Sequence, residues 1–120
     1  MDDDASTTAQ LPATITTFLD AQVARDETRA LPLLTEDAVI VDVADGGEVF
    51  SGPDGLRRFL VEAGTEFTYT TELTGVTRDG DIWVVGHHLE GDFPGGEADL
   101  DYRFTLAGDR IARLDVVLPS

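Results

Sequence analysis

The apolar residues of this chain change their spacing once, and that change restricts the fold more than any other feature. In the first half they recur mainly at helical spacing, as from Ile15 to Val23. In the second half apolar and polar side chains alternate, most regularly from Ala98 to Leu106, as they do in a half-buried strand. The resulting order of helix, helix, strand, helix and several strands predicts a small α+β domain with one concave sheet face.

The boundaries of the predicted elements come from capping and turn residues. Pro12 suits the start of the first helix, and the acid-rich residues 25–27 end it. Thr28 is expected to cap a short second helix, and residues 51–54 are typical of the start of a third. Strands are predicted at residues 38–44, 48–50, 67–73, 82–89, 98–106 and 111–118.

Charge and cysteine content exclude several classes of protein. The formal net charge is −16, and all eight basic residues are arginine. Such a surface repels nucleic acid and anionic lipid, so neither is an expected partner. The chain has no cysteine, which excludes disulfides and thiolate metal sites.

The length and the N-terminal sequence predict a single domain in the cytoplasm. A chain of 120 residues is long enough for one hydrophobic core. Residues 1–10 are polar and acidic and are expected to form a flexible tail, which leaves residues 11–118 as the domain. The N-terminus lacks the basic and apolar segments of a signal peptide, and no apolar run reaches membrane-spanning length.

Asp42 interrupts one of the most apolar segments of the chain, the strand predicted at residues 38–44. A carboxylate is costly to bury there unless it is paired or has a chemical task. Asp42 is therefore a candidate site residue in a pocket. The alternative is a carboxylate near the end of the strand that faces solvent or pairs with an arginine.

Several segments resemble the nuclear transport factor 2-like superfamily, in its SnoaL-like and ketosteroid-isomerase-like branch. The resemblance extends over residues 11–118, and the segments that carry it are 33–39, 50–52, 56–59 and the closing hairpin 102–111. It implies two to three N-terminal helices packed on a strongly curved mixed β-sheet, a conical pocket and often a homodimer through the sheet. The superfamily includes isomerases, cyclases, dehydratases, hydrolases and non-catalytic binding modules, so the fold does not select the activity.

The resemblance places Asp42 where the isomerases carry their catalytic aspartate, which removes a proton α to a carbonyl. Their two oxyanion donors, a tyrosine and a protonated aspartate, correspond here to Phe18 and Leu100. Preorganised donors of this kind contribute on the order of 3 kcal/mol each to catalysis. Because both are replaced by apolar residues, the steroid-isomerase mechanism is not expected for this chain.

The strand predicted at residues 82–89 offers replacement groups. Trp83 and His87 alternate onto one face, which the resemblance turns toward the cavity. His87 would serve there as a neutral donor or a proton relay, and the alternative is a histidine at the cavity rim or in a dimer interface. His88 alternates to the opposite face, so the two histidines cannot hold one ion, and neither a metal nor a cofactor is expected. Tyr102 lies on a core-facing position from which its hydroxyl could reach a ligand.

Together these observations predict a SnoaL-like protein with an apolar pocket for a small hydrophobic molecule. If it is an enzyme, it is a cofactor-independent isomerase, cyclase or dehydratase acting on a small carbonyl compound, with Asp42 as base and His87 or Tyr102 as donor. The alternative is a non-catalytic ligand-binding or dimerisation module, in which Asp42 is a rim carboxylate. A cavity of roughly 300 Å³ or more with Asp42 on its wall would favour the first. The predicted ligand-binding residues are Phe18, Trp83, Leu100, Tyr102, Leu114 and Val116.

Overall fold

The computed structural model of the protein describes residues 11–43, 46–62 and 68–118. Helix α1 (Ala13–Val23) follows Pro12 and turns one apolar side toward the sheet. Phe18 and Leu19 are buried on that side, at the helical spacing that the sequence predicts. Val23, the last residue of the same stripe, is 69% exposed, because the helix extends beyond the core at this end and borders an open cleft.

A short second helix, α2 (Glu27–Ala30), leads into a 3-10 turn at Leu31–Leu33 that contains Pro32. Its N-cap is Asp26, whose side chain accepts a hydrogen bond from a backbone N–H of the first turn. The prediction that Thr28 caps this helix is wrong. Thr28 lies inside the helix, where its hydroxyl donates to the Asp26 carboxylate at 2.8 Å. A carboxylate also suits the positive end of the helix better than a hydroxyl.

Six strands form one mixed sheet within the described residues. Their spatial order is β2-β1-β6-β5-β4-β3. Strands β1 and β6 run parallel, and the other neighbours run antiparallel. Together with the helices, this sheet confirms the predicted α+β class with helices packed on a curved mixed sheet. In chain order the strands and the third helix are β1 (Leu34–Asp42), β2 (Glu48–Ser51), α3 (Gly52–Glu62), β3 (Tyr69–Asp79), β4 (Ile82–Gly91), β5 (Glu97–Ala107) and β6 (Arg110–Val117).

The hydrophobic core lies between the helices and the concave face of the sheet. The strand register places Ile40, Leu114 and Phe104 in one row, and all three are fully buried. Phe18 of α1 packs on this row, with its ring 5.9 Å from that of Phe104 in an edge-to-face arrangement. Each large apolar side chain buried in this way contributes about 1.5–3 kcal/mol to folding.

The helices cover only part of the concave face. Helix α1 contacts β6, and α3 contacts β1 and β2. Strand β3 forms the far edge of the sheet and is exposed along nearly its whole length. A gap therefore remains between the end of α1 and the side of the sheet that β3 and β4 form, and this gap holds the candidate site.

Some of the predictions concern residues outside the described ranges. These are the acidic tail at residues 1–10, residue 44 at the end of the predicted strand, and residue 67 at the start of another. The domain boundary at residues 11–118 and the cytoplasmic location stay predictions. Within the described ranges, no helix is long and apolar enough to cross a membrane.

Candidate functional site

A cleft of about 690 Å³ opens between the C-terminal half of α1 and the first half of β3. Leu19 and Val23 line it from α1, Leu73 lines it from β3, and Leu89 lines it from β4. Ligand pockets for small molecules usually have volumes of roughly 300–1,000 Å³ and mainly apolar walls. The cleft therefore has the size and the wall chemistry of a small-molecule site.

Three polar side chains, Gln22, His87 and Tyr102, form what we call the polar floor of the cleft. They come from α1, β4 and β5 respectively. His87 pairs with Leu100 across the sheet, and Tyr102 is the next residue of β5 on the same face. The two rings lie 4.2 Å apart at their centroids with an interplanar angle of 33°. The polar floor is thus held together by strand register as well as by side-chain contact.

His87 is a buried histidine with an assignable tautomer. It is 6% exposed, and burial lowers its pKa, so the imidazole is neutral at pH 7. Its Nδ1 lies 3.1 Å from the carbonyl oxygen of Val85. Because a carbonyl oxygen only accepts, this contact assigns the proton to Nδ1 and leaves the lone pair on Nε2. In this tautomer Nε2 is an acceptor, whereas the predicted role of His87 as a donor requires the other tautomer.

Tyr102 supplies the donor of the polar floor. Its hydroxyl oxygen accepts a hydrogen bond of 3.1 Å from Nε2 of Gln22, which leaves the hydroxyl proton for another acceptor. Burial raises the pKa of Tyr102 to about 12, and the hydrogen bond from Gln22 opposes part of this rise. The phenol therefore stays protonated throughout the physiological range.

Asp42 lies on the same concave face, two strands away from Tyr102. The register places Asp42 beside Val116 and Val116 beside Tyr102, so about 10 Å of sheet separates the first from the last. The charge of Asp42 makes a small contribution to the raised pKa of Tyr102. Asp42 is half-buried, and it is not among the described residues that line the cleft. Its catalytic role stays a prediction.

The predicted ligand-binding residues divide between the cleft and the core. Tyr102 lines the cleft. Trp83 packs against the core and carries the guanidinium of Arg78 at 5.0 Å from its ring. The others lie in the core or against it, outside the cleft lining: Phe18, Leu100, Leu114 and Val116. Contact between any of these residues and a ligand stays a prediction.

The structure adds two residues that the sequence analysis does not single out. Gln22 follows Ile15 by seven positions and Leu19 by three, so it is a polar side chain on the apolar stripe of α1. That mismatch is a sequence signal for a functional residue. Arg25 also lines the cleft, but only the backbone conformation after α1 brings it there, and no local pattern in the sequence indicates it.

The opposite face of the sheet carries His88, as the strand alternation predicts. Its Nδ1 lies 2.7 Å from Asp99, and its Nε2 lies 3.1 Å from Glu90 and 3.4 Å from Glu97. Hydrogen bonds to Asp99 and Glu90 raise the pKa of His88. His88, Glu90 and Glu97 bring potential metal-ligand atoms within 4.8 Å of one another, but this cluster is separated from the cleft by the sheet.

The helices packed on a curved six-stranded mixed sheet give the protein a nuclear transport factor 2-like fold. The sequence matches the SnoaL-like domain over residues 15–114, and the chain belongs to this family. The family resemblance indicated by the sequence segments is therefore confirmed.

Several solved structures are similar to the chain. A candidate polyketide cyclase from Sinorhizobium meliloti is 31% identical, with a TM-score of 0.79 over 90% of this chain and 96% of that one. TerC, crystallised with polyporic acid, is 19% identical, with a TM-score of 0.71 over 88% of each chain. A Catenulispora acidiphila protein of ketosteroid isomerase-like fold, in complex with trimethylamine, is 16% identical, with a TM-score of 0.74 over 89% of this chain and 85% of that one. No curated protein matches the sequence.

Proposed function

We propose that the cleft binds a small hydrophobic carbonyl compound and that the protein catalyses cofactor-independent proton transfer on it. The reaction class is that of an isomerase, cyclase or dehydratase. The observation that carries the proposal is the pairing of an acceptor and a donor, His87 and Tyr102, on the polar floor of a cleft with apolar walls. The SnoaL-like family and the similarity to a candidate polyketide cyclase support the same class of chemistry.

In the proposed mechanism His87 is the base and Tyr102 the electrophile. Nε2 of His87 removes a proton from the carbon next to the carbonyl, the electron pair of the C–H bond forms the C=C bond of the enolate, and the π pair of the carbonyl moves to its oxygen. The Tyr102 hydroxyl donates a hydrogen bond to the enolate oxygen as its charge develops. The imidazolium then returns the proton to the same carbon or to another one. Tyr102 supplies the donor function that Phe18 and Leu100 cannot provide.

Asp42 remains the competing candidate for the base. Because Asp42 lies in one row with Val116 and Tyr102, its charge acts on the polar floor. The family resemblance also supports Asp42 as the base. In that variant of the mechanism Asp42 removes the proton, while His87 relays it and Tyr102 stabilises the enolate.

Exchange of α-protons for deuterium tests the mechanism without knowledge of the natural substrate. The probe is 2-tetralone in D2O, followed by proton NMR with wild type and three variants. His87→Gln is expected to lower the exchange rate about 10²–10⁴-fold if His87 is the base. Tyr102→Phe is expected to lower it about 10²-fold through loss of the enolate donor. Asp42→Asn is expected to leave the rate with this short probe unchanged, and a lowered rate would support Asp42 as the base instead.

A non-catalytic ligand-binding module is the second candidate, and the position of Asp42 outside the described lining of the cleft favours it. The exchange experiment separates the two functions. Binding of 2-tetralone to the wild type with no exchange above the buffer rate would support the binding module and contradict catalysis. Exchange that persists unchanged in His87→Gln and Asp42→Asn would contradict both assignments of the base.

The protein is also proposed to form a homodimer through the convex face of the sheet. That face carries partly exposed valines of β1 and β2, among them the cross-strand pair Val41 and Val49. Val49 is 56% exposed. Exposed apolar side chains grouped on one sheet face are typical of a protein–protein interface. The molecular mass in solution tests this proposal.

A further inference from the structure

Arg25 occupies a backbone position that normally belongs to glycine. The N–H of Asp26 donates to the Ala21 carbonyl at 2.8 Å, and the N–H of Arg25 donates to the Gln22 carbonyl at 3.1 Å. These are the two hydrogen bonds of a Schellman motif, with Arg25 at the left-handed residue that follows the helix. Its φ is +57°, and among the described residues it is the one non-glycine residue with positive φ. An L-residue with a Cβ is destabilised there relative to glycine.

The side chain that this conformation holds in place belongs to the cleft. Arg25 lines the cleft, and its Nη1 lies 3.5 Å from the Leu60 carbonyl oxygen at the end of α3. The positive charge also reaches the polar floor, since it opposes the rise in the pKa of Tyr102. A residue that departs from the local backbone preference and faces a cleft is a candidate for function.

The charge distribution indicates what Arg25 recognises. The chain carries a net charge of −16, so its surface as a whole repels anions. Within the described lining of the cleft, the one carboxyl side chain is that of Asp20 and the one guanidinium is that of Arg25. A guanidinium presents a planar fork of donors that matches a carboxylate in two parallel hydrogen bonds. Arg25 therefore offers local attraction for an anion that the rest of the surface disfavours.

We infer that Arg25 is the anion-recognising residue of the cleft and that the ligand is a hydrophobic carboxylic acid. The carboxylate lies at Arg25, and the apolar body packs against Leu19, Val23 and Leu73. This inference rests on the proposed function of the cleft and names its substrate class: combined with the His87 and Tyr102 pair, it predicts a hydrophobic keto acid. The carbonyl faces the polar floor, and the acid faces the end of α1.

The test compares acids with their uncharged amides. The probes are three matched pairs: benzoate and benzamide, 2-naphthoate and 2-naphthamide, and 4-biphenylcarboxylate and its amide. Binding is measured by NMR chemical-shift titration at pH 7 and constant ionic strength, which detects millimolar dissociation constants. Wild type is expected to bind the acid at least tenfold more tightly than the amide in at least one pair.

The variants separate a recognition role from a structural one. Arg25→Gly fits the left-handed backbone and is expected to leave the protein folded while it abolishes the preference for the acid. Arg25→Lys is expected to restore part of the preference, since it keeps the charge. Asp20→Asn, on the same cleft, is expected to strengthen acid binding, because it removes the neighbouring negative charge.

Each outcome bears on the inference. Loss of acid preference in a folded Arg25→Gly protein supports it. Equal binding of acid and amide by the wild type, or an unchanged preference in Arg25→Gly, overturns it and leaves the proposed function of the cleft intact. Failure of every probe to bind the wild type at millimolar concentration contradicts the ligand-binding function of the cleft and the inference with it.

Discussion

Replacing His87 with glutamine is expected to remove part of the decrease in the free energy of unfolding that the protein shows at acidic pH. The folded state buries His87 and lowers its pKa below the 6.5 of an exposed histidine. The unfolded chain returns the imidazole to water. Below pH 6.5 the unfolded state therefore binds a proton that the folded state does not, and the free energy of unfolding falls as the pH falls. The contribution of neutral His87 is fully present above pH 6.5 and is lost on acidification toward the folded pKa.

The proton-linkage relation limits the size of this effect. A group that protonates only in the unfolded state changes the free energy of unfolding by at most about 1.4 kcal/mol per pH unit. With an unfolded pKa of 6.5, the loss is about 0.4 kcal/mol at pH 6.5 and about 1.4 kcal/mol at pH 5.5. These values are ceilings, because the contact with the Val85 carbonyl and the charge of Asp101 both favour the protonated imidazole in the folded state.

Urea unfolding at pH 5.5, 6.5 and 7.5 measures the effect at constant ionic strength. Glutamine does not titrate, and its amide can still donate to the Val85 carbonyl. The free energy of the wild type is expected to fall relative to His87→Gln by up to about 1.4 kcal/mol between pH 7.5 and 5.5. Because the carboxylates titrate in both proteins, the difference isolates His87. A difference that does not change with pH would refute the assignment of a buried, neutral imidazole.

His88 provides a control of opposite sign on the same strand. Its pKa is raised by Asp99 and Glu90, so its contribution to stability is present below pH 6.5 and is lost as the pH rises through the folded pKa. The variant His88→Gln is therefore expected to lose stability relative to the wild type at acidic pH and to converge with it at alkaline pH. The same trend for both histidines would contradict the opposite directions of their pKa shifts.

Two further predictions concern the sheet. Gly91→Ala is expected to cost about 1–3 kcal/mol in urea unfolding, because the new Cβ would meet the backbone carbonyl oxygen of Thr68 and the Cα and Cβ atoms of Tyr69. Gly86→Ala is expected to cost less, since the nearest atom, 2.6 Å away, is the hydroxyl of Thr74, which can rotate; equal costs would contradict this reading. The homodimer is expected to gain population from 0.05 to 0.5 M NaCl, as salt screens self-repulsion, and to be lost in Val41→Glu but not in the helix variant Ala13→Glu. A monomeric mass by light scattering at every salt concentration would exclude it.

Periodicity predicts those parts of the fold in which one side of an element is buried. The apolar stripe of α1 and the alternation of β5 both correspond to residues that face the core, such as Phe18 and Phe104. Strand β1 begins at Leu34 rather than at the predicted residue 38, because Leu34 already pairs with Ile111 of β6 and the polar residues 35–37 that follow it show no apolar alternation. Likewise, Asp26 and Thr28 are both residues that can cap a helix, and the sequence alone does not show that Asp26 is the N-cap of the second helix.

The cleft could not be predicted in the same way, because it is defined by what the helices leave uncovered. The hydrophobic pattern alone does not distinguish a side chain that α1 covers from one that lies next to α1 and stays uncovered. Leu114 and Leu73 are both apolar residues on the concave face, yet one lies in the core and the other lines the cleft. His87 and Tyr102 were recognisable because their polar groups stand on a core-facing strand position. Arg25 was not, because its placement depends on a left-handed backbone residue.

The separation between Asp42 and the polar floor makes ligand length the decisive variable for the chemistry. A ligand seated in the cleft meets His87 and Tyr102 directly, whereas Asp42 lies about 10 Å further across the sheet, past the buried Val116. A two-ring ketone such as 2-tetralone can therefore lose its proton to His87 without reaching Asp42. Only a longer polycyclic ketone that spans this distance could present its carbon to that carboxylate. If Asp42→Asn slows exchange of the short probe as strongly as that of a long one, the concave face must rearrange on binding. The assignment of His87 to short ketones and of Asp42 to long ones, which rests on the strand register, would then be wrong.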